Sequence, residues 1–433
     1  MPSPKRPRLP VIPPKIFHVE KLDLAESFVA DLIVRRIGAE GTSSLSSLCN
    51  ALKLTRPVVE SIFHDLRHQK LIEVKGLASP DPGHSIGEDY SFSLTMAGVR
   101  LASERAGATQ YIGPTPVSLP AYTATVRAQR AKLKLSRELM REILSDLVLP
   151  ESVIGQLGPA LYSQRCLFLY GLTGNGKTSV AERLARAYQD LALIPYAVEV
   201  DGQVIAVYDP AVHKKANVEL EEMDARWVIC QRPCVVAGGE LTARMLDLHL
   251  DEGSNVYAAP LQMKANNGIL VIDDFGRQTM SPQQLLNRWI APFDRHIDYL
   301  ALRYGVKFEI PFETMVVFAT NLDPNSLADE AFLRRIPNKI HIKPPDAQAF
   351  DTIFERLLEQ RKIDAAPGAT ECLRNLCLRM NRGRLRACHP RDICDILEWI
   401  SGFEGQPVQA NPKTLEAAAE LYFAHLNAPE LDS

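Results

Sequence analysis

The run Gly171-Leu172-Thr173-Gly174-Asn175-Gly176-Lys177-Thr178 sets glycines, a lysine and a hydroxyl residue in the spacing G-x-x-x-x-G-K-T. Those residue types at that spacing suit one chemistry, the grip on a chain of phosphates. The glycines let backbone N–H groups close on phosphate oxygens, the lysine reaches the terminal phosphates, and the hydroxyl ligates a divalent cation. The flanks agree. Cys166 to Tyr170 is an apolar run that reads as a buried parallel strand, and Ser179 to Asp190 is a helix-forming run. A helix starting at the loop adds its dipole and its unsatisfied N–H donors to the anion site. Residues 171–179, Ser179 included, are therefore expected to cradle a nucleoside triphosphate, with Thr178 on the metal.

A second stretch supplies the complementary charge. Gly268-Ile-Leu-Val-Ile272 is followed by Asp273-Asp274. A carboxylate at the tip of a buried strand can hold the Mg2+ that bridges phosphates, the role expected of Asp273. The next acid, Asp274, is placed to orient or deprotonate an attacking water. Five runs read as buried strands: Cys166–Tyr170, Tyr196–Val200, Gly268–Ile272, Met315–Thr320 and Lys339–Ile342. Separated by helical stretches or long insertions, they predict an α/β fold with a parallel sheet and a ligand at the strands' carboxyl ends.

The bulk composition bounds the rest. With 433 residues, 46% apolar and 23% charged, the chain has the makeup of a globular protein of about two or three domains. A net charge of −3 gives no global bias towards nucleic acid, so a basic surface must be local. No run approaches the roughly eighteen apolar residues of a membrane span. The first fifteen residues carry four Lys/Arg and six prolines without an apolar core, so residues 1–20 are expected as a disordered basic arm rather than a leader. Eight scattered cysteines point to reduced thiols and a cytoplasmic location, without membrane attachment.

Residues 21–110 read as three helices, two strands around a Gly/Pro-rich loop at 76–87, and a further helix capped by Thr95. This order resembles a winged helix-turn-helix domain. Its second turn helix would present Arg56, Ser61, His64, Arg67 and His68, countered by Glu60 and Asp65. The face suits DNA or a protein contact, and its modest charge favours protein. Three prolines and a glycine between Tyr111 and Pro120 mark a linker, with a helical lead-in to 146.

Taken together, the motifs resemble the AAA+ ATPases, over residues 147–345 for the nucleotide core and 346–433 for a helical lid. Asn321, ending Val317-Phe-Ala-Thr-Asn321, resembles sensor 1. Arg334 and Arg335, closing Asp329-Glu-Ala-Phe-Leu-Arg-Arg-Ile336, resemble the helix that presents an arginine finger to a neighbouring subunit, Arg335 aligning better. Arg391 in His389-Pro-Arg391-Asp resembles sensor 2. The resemblance implies ATP and Mg2+ as ligands, Asp274, Asn321, Arg335 or Arg334, and Arg391 in catalysis, and a ring or spiral oligomer of hexameric type. Ala265-Asn-Asn-Gly-Ile-Leu270 is similar to a run of MoxR-like and enhancer-binding members, and Asp298–Ile310 reads as their pre-sensor hairpin. Tyr208 and Tyr257 would then be candidate pore aromatics. Asp-Asp replaces the family's usual Asp-Glu, which implies slow hydrolysis. Two functions stay open: remodelling of a protein client, or a DNA-docked ATPase or regulator acting through residues 21–110; a slow nucleotide switch is the third. The lid cysteines 372, 377, 388 and 394 lie among Leu and Ile and read as buried thiols rather than zinc ligands.

Overall fold

Strict alternation builds the centre of the molecule. Leu167 and Leu169, Ile269 and Val271, and Met315 and Val317 face one layer, with Val180 and Leu184 of the phosphate-loop helix against them. Phe168, Leu270, Ile272, Val316 and Phe318 face the other, where Leu286 and Trp289 cover them. A sheet buried on both faces needs near-continuous apolar strands, as parallel sheets do. The computed structural model describes residues 9–77, 90–327 and 333–423. Its central sheet is all parallel, in the order Cys234–Ala237, Ile269–Ile272, Met315–Thr320, Leu167–Tyr170, Asn338–His341.

One expected strand is misplaced. The Tyr196–Val200 run does not enter this sheet; Cys234–Ala237 takes the edge position instead. The reason is local. Asp201 and Gly202 both have positive φ, at 50° and 77°, and turn Ala197–Val200 back onto Gln203–Ala206 with Val200 opposite Gln203. Asp-Gly between alternating apolar residues is a strong hairpin signal. The hairpin belongs to a second, mixed five-stranded sheet with Val117–Ser118, Val256–Ala258 and His249–Asp251. An antiparallel pair, Leu191–Pro195 with Trp227–Gln231, completes this β-rich insertion. Its core holds Tyr122, Val198, Trp227 and Tyr257.

Two junctions fasten insertion to centre. The Arg232 side chain is fully buried, paired with Asp190 and donating to the carbonyls of Asn267 at 2.8 Å and Gln129 at 2.9 Å. Asn266 donates to Tyr122 Oη at 2.8 Å and to the Pro311 carbonyl at 2.9 Å. Asn267 donates to the Val126 carbonyl at 2.9 Å. Gly268 is required beside them: a Cβ there would stand 2.0 Å from the Pro233 carbonyl oxygen. The Ala-Asn-Asn-Gly run thus ties the acid strand to the insertion.

The N-terminal region has helices Glu26–Glu40, Leu45–Leu52, Arg56–His68 and Met96–Ala108 and a three-stranded antiparallel sheet, around a core of its own. The expected loop between its long strands falls largely at 78–89, outside the described residues. Two expectations change here. Residues 9–20 do not form a free arm over their described length. Lys15 N–H donates to the Glu222 carbonyl at 2.8 Å, Asp224 N–H to the Pro13 carbonyl at 3.0 Å, and Leu9 and Val11 pack on the insertion core. Nor is the 111–146 segment a loose spacer. Its prolines leave Val117 and Ser118 free to pair with Val198 and Glu199, and Val117 is fully buried. Arg226, nearly buried, clamps the contact: it pairs with Asp224 at 2.7 Å and Asp23 at 2.6 Å and donates to the Pro116 carbonyl at 3.0 Å.

Four helices, Ala347–Arg361, Ala369–Met380, His389–Glu404 and Pro412–Phe423, close the described chain around another core containing Phe350, Phe354, Cys377 and Cys394. No helix among the described residues is long and apolar enough to cross a membrane.

Candidate functional site: a phosphate cradle at the carboxyl edge of the sheet

Because the central strands are parallel, their carboxyl ends share one edge, and the chemistry-bearing residues gather there. The strand Leu167–Tyr170 runs into the glycine loop, and the helix Lys177–Leu184 follows at once. Gly174 and Gly176 have φ of 81° and 82°, a region that side chains with a Cβ rarely adopt. Gly174 carries a second constraint. A Cβ would meet Cys388 Sγ at 2.5 Å, and the Gly174 carbonyl accepts from Cys388 N–H at 2.8 Å. The start of the helix His389–Glu404 is thus seated on the loop.

Lys177 folds over the loop, its ammonium donating to the carbonyls of Gly171 at 2.9 Å and Leu172 at 3.1 Å. Burial pushes its pKa down from the ordinary lysine value, while the carboxylates of Asp273 and Asp274 pull it back up. Thr178 Oγ1 donates to Asp273 Oδ2 at 2.7 Å. A hydroxyl and a carboxylate that close form two of the oxygen ligands that a hard divalent cation takes. The strand bearing Asp273 is not next to the loop strand. Met315–Thr320 lies between them, and it ends on Asn321, whose Nδ2 donates to Thr173 Oγ1 at 3.2 Å. Asn321 therefore sits between loop and acid, where a transferring phosphate would lie.

Several polar atoms around this edge have no hydrogen-bond partner among the described residues: both amide atoms of the buried Asn175, Asn321 Oδ1 and Arg386 Nε. Buried polar groups are ordinarily bonded. Their concentration round one loop fits a site that polar oxygens complete, as a triphosphate with its cation would.

Asp274 is held in a left-handed conformation, φ 47°, and its N–H donates to Asp273 Oδ1 at 3.0 Å. Aspartate enters that region more readily than most residues with a Cβ. Gln278 braces the turn, donating to the Asp273 carbonyl at 2.8 Å and accepting from Gly276 N–H at 2.8 Å. The sequence carried no signal for this brace.

The structure separates the expected arginines. Arg335 stands just before the strand Asn338–His341, and Asn338 Nδ2 donates to the Cys166 carbonyl at 3.2 Å, ahead of the loop strand. It therefore lies at the amino edge, a strand's length of roughly 13–20 Å from its own phosphate loop. Its Nε donates to Asp294 Oδ2 at 3.1 Å, and Arg334 is exposed beside it. Residues 329–332 of the expected finger helix lie outside the described residues. Arg391 is exposed and pairs with Asp392 at 3.5 Å. It is Arg386, five residues earlier, whose Cδ comes within 3.6 Å of a Cβ built on Gly174. Its place follows from the Gly174–Cys388 contact, which no sequence pattern announced. His389 is buried against Tyr422 and Phe423, and burial with nearby Arg386 pushes its pKa down to about 4. Tyr257, a candidate pore aromatic, is buried and accepts a bond from Arg303 N–H at 2.9 Å; Tyr208 packs on Tyr196 and His213. In the hairpin Ile297–Ala301/Lys307–Pro311 two tyrosines are exposed, Tyr299 on the first strand and, more fully, Tyr304 near the tip, with 80% of its surface accessible.

A cavity of ≈ 760 Å3 opens behind the phosphate-loop helix, beside Arg183, Arg186 and Arg232. These cations are committed to Asp146 and Asp190, and none of the loop residues 171–179 lines it.

Comparison with known proteins gives little beyond this geometry. A family model described as a domain of unknown function, DUF8689, matches residues 346–421, the C-terminal helices. No curated protein matches the chain. Solved structures similar to it include a Thermotoga maritima RuvB mutant, at 13% identity and a TM-score of 0.36 over 67% of this chain and 73% of that one. NtrX from Brucella abortus is similar at 14% identity and a TM-score of 0.39, over 66% and 59%. At such distances these likenesses carry no functional weight.

Proposed function

We propose that the protein is an ATPase of the AAA+ type that works as an oligomer. The observation that carries this reading is the cradle at one sheet edge: the glycine loop with Lys177, the Thr178–Asp273 contact at 2.7 Å, and Asn321 set between them. Backbone N–H groups of residues 171–179 and the Lys177 ammonium would hold the phosphates of ATP. Thr178 and Asp273 would hold Mg2+, whose contribution is to neutralise charge on the β- and γ-phosphates. Asp274, on its constrained turn, would orient the attacking water and take its proton. Asn321 donates to the γ-phosphate or to that water.

Arg335 lies at the wrong edge to serve its own nucleotide. A second copy is needed to bring an Arg335 to each phosphate cradle, which favours a head-to-tail ring or spiral, hexameric by the AAA+ resemblance. The C-terminal helices, seated on Gly174 through Cys388, would act as the lid, with Arg386 as the cation they bring to the loop. The exposed hairpin residue Tyr304 makes a protein client the favoured substrate.

DNA is the second reading. Arg56, Ser61, His64, Arg67 and His68 all remain exposed on one helix although the domain is docked on the insertion. The experiment is the steady-state ATPase rate of the full chain with and without duplex DNA. ATP hydrolysis that falls on the order of 10²–10⁴-fold in Asp274→Asn is expected. No hydrolysis and no ATP binding by the native chain would sink the ATPase reading. Stimulation by DNA would replace the client reading with the DNA one, and a rate near zero with tight ATP binding would favour a nucleotide switch.

A further inference from the structure

We propose that Asp294 is the positioning residue of the trans-acting arginine, holding Arg335 at the amino edge for use by the neighbouring subunit; this rests on the reading of Arg335 as that finger. Asp294 lies in the short helix Ile290–Arg295, and His296 turns that helix directly into the hairpin strand Ile297–Ala301. Its Oδ2 accepts from Arg335 Nε at 3.1 Å. A guanidinium has one N–H on Nε and four on its terminal nitrogens. Gripping the Nε side fixes the direction of the side chain and sets the terminal end, the part that meets a phosphate, in a defined place. Phe293, Arg165, His296 and Arg334 line the same cleft of ≈ 340 Å3, so the pair sits on a shaped surface.

The helix is itself anchored. Trp289, fully buried, packs on Phe293 and Phe312, and Phe312 N–H donates to the His296 carbonyl at 2.9 Å. Two residues past His296, the buried carboxylate of Asp298 is bonded to Arg288 and accepts from Gln262 Nε2 at 2.9 Å. Asp294 therefore offers its carboxylate from a rigid support. It also ties the finger to the base of the hairpin that carries Tyr304, so a finger drawn onto a neighbour's phosphate pulls on the hairpin's root.

The test uses full-length protein. Asp294→Ala should lower kcat roughly tenfold to a hundredfold, the cost of a misplaced catalytic group, with little change in KM for ATP. Arg335→Ala should lower it further, and the double variant should match Arg335→Ala alone. Mixing supplies the readout that a general structural defect would not give. Asp274→Asn subunits keep an intact finger but do not hydrolyse, and Asp294→Ala subunits keep an intact cradle. The mixture should exceed the summed activity of its two parts, because intact fingers then face intact cradles. No gain on mixing, or multiplicative loss in the double variant, overturns the role of Asp294. Full activity of Asp294→Ala beside an inactive Arg335→Ala also overturns it while leaving the finger standing. Full activity of Arg335→Ala instead removes the finger reading itself.

Discussion

Two five-stranded sheets lie side by side in this chain and are used in opposite ways. In the central sheet every strand runs the same direction, so the loops leaving residues 170, 237, 272 and 320 converge on one edge. Convergence brings the glycine loop, Asp273, Asp274 and Asn321 together from segments that are distant in sequence. In the mixed sheet of the insertion, hairpins send successive strands to opposite edges and nothing converges. Its buried charges fasten instead: Arg226 joins Asp23, Asp224 and Pro116, and Arg232 joins Asp190, Gln129 and Asn267. Strand direction, more than composition, decides which sheet can build a site.

Substitutions can break that contrast from either side. Lys177→Ala should have the largest effect, weakening ATP binding by more than about 4 kcal/mol, a thousandfold, in a nucleotide titration. Unchanged affinity would strip the parallel sheet of its proposed chemistry. Arg226→Ala should destabilise the protein by about 3–5 kcal/mol, because two carboxylates lose their buried partner. Chemical denaturation measures this, and ATP affinity measured under native conditions should stay at its original value; a loss of affinity would mean the insertion contributes to the site after all.

The contact between the C-terminal helices and the glycine loop gives a subtler probe. His389 has a pKa near 4 in the fold against an ordinary value of 6.5. The folded form keeps its imidazole neutral, so below pH 6.5 the unfolded chain binds a proton that the folded one refuses. Stability is complete above that pH and falls as pH drops towards 4, by on the order of 2 kcal/mol. His389→Gln should flatten this acid-side slope of Tm, and an identical slope in the variant would assign it elsewhere. Gly174→Ala should cost about 1–2 kcal/mol from its left-handed backbone alone, and the added methyl must also displace Cys388. A wild-type Tm and wild-type ATP affinity in that variant would argue against the seating of the C-terminal helices on the loop.

Much of the site could be read from the chain because its pieces are local. A glycine loop between an apolar strand and a helix, and acids at the end of another apolar strand, need only neighbouring residues to declare themselves. Four of the five expected parallel strands lie in the central sheet within a residue of their expected ends. The fifth was lost to a local signal, Asp201-Gly202, that outweighs an apolar run. Other features were never local. Cys234–Ala237 is a short apolar segment like several others, and only pairing with Ile269–Ile272 makes it the sheet's edge. Arg386 differs from Arg391 only in which one the Cys388–Gly174 contact carries to the loop.

The sequence by itself determined the glycine loop between strand and helix, the acid pair at a strand end and the layered α/β character, since each follows from residue type and period within a short window. Only the tertiary structure decided that Asn321 stands between loop and acid, that Tyr257 is buried while Tyr304 is exposed, that residues 9–16 are docked, and that Arg335 lies at the opposite edge of the sheet from the glycine loop. Those are facts of strand order and burial, and burial depends on which distant segments pack together to exclude water.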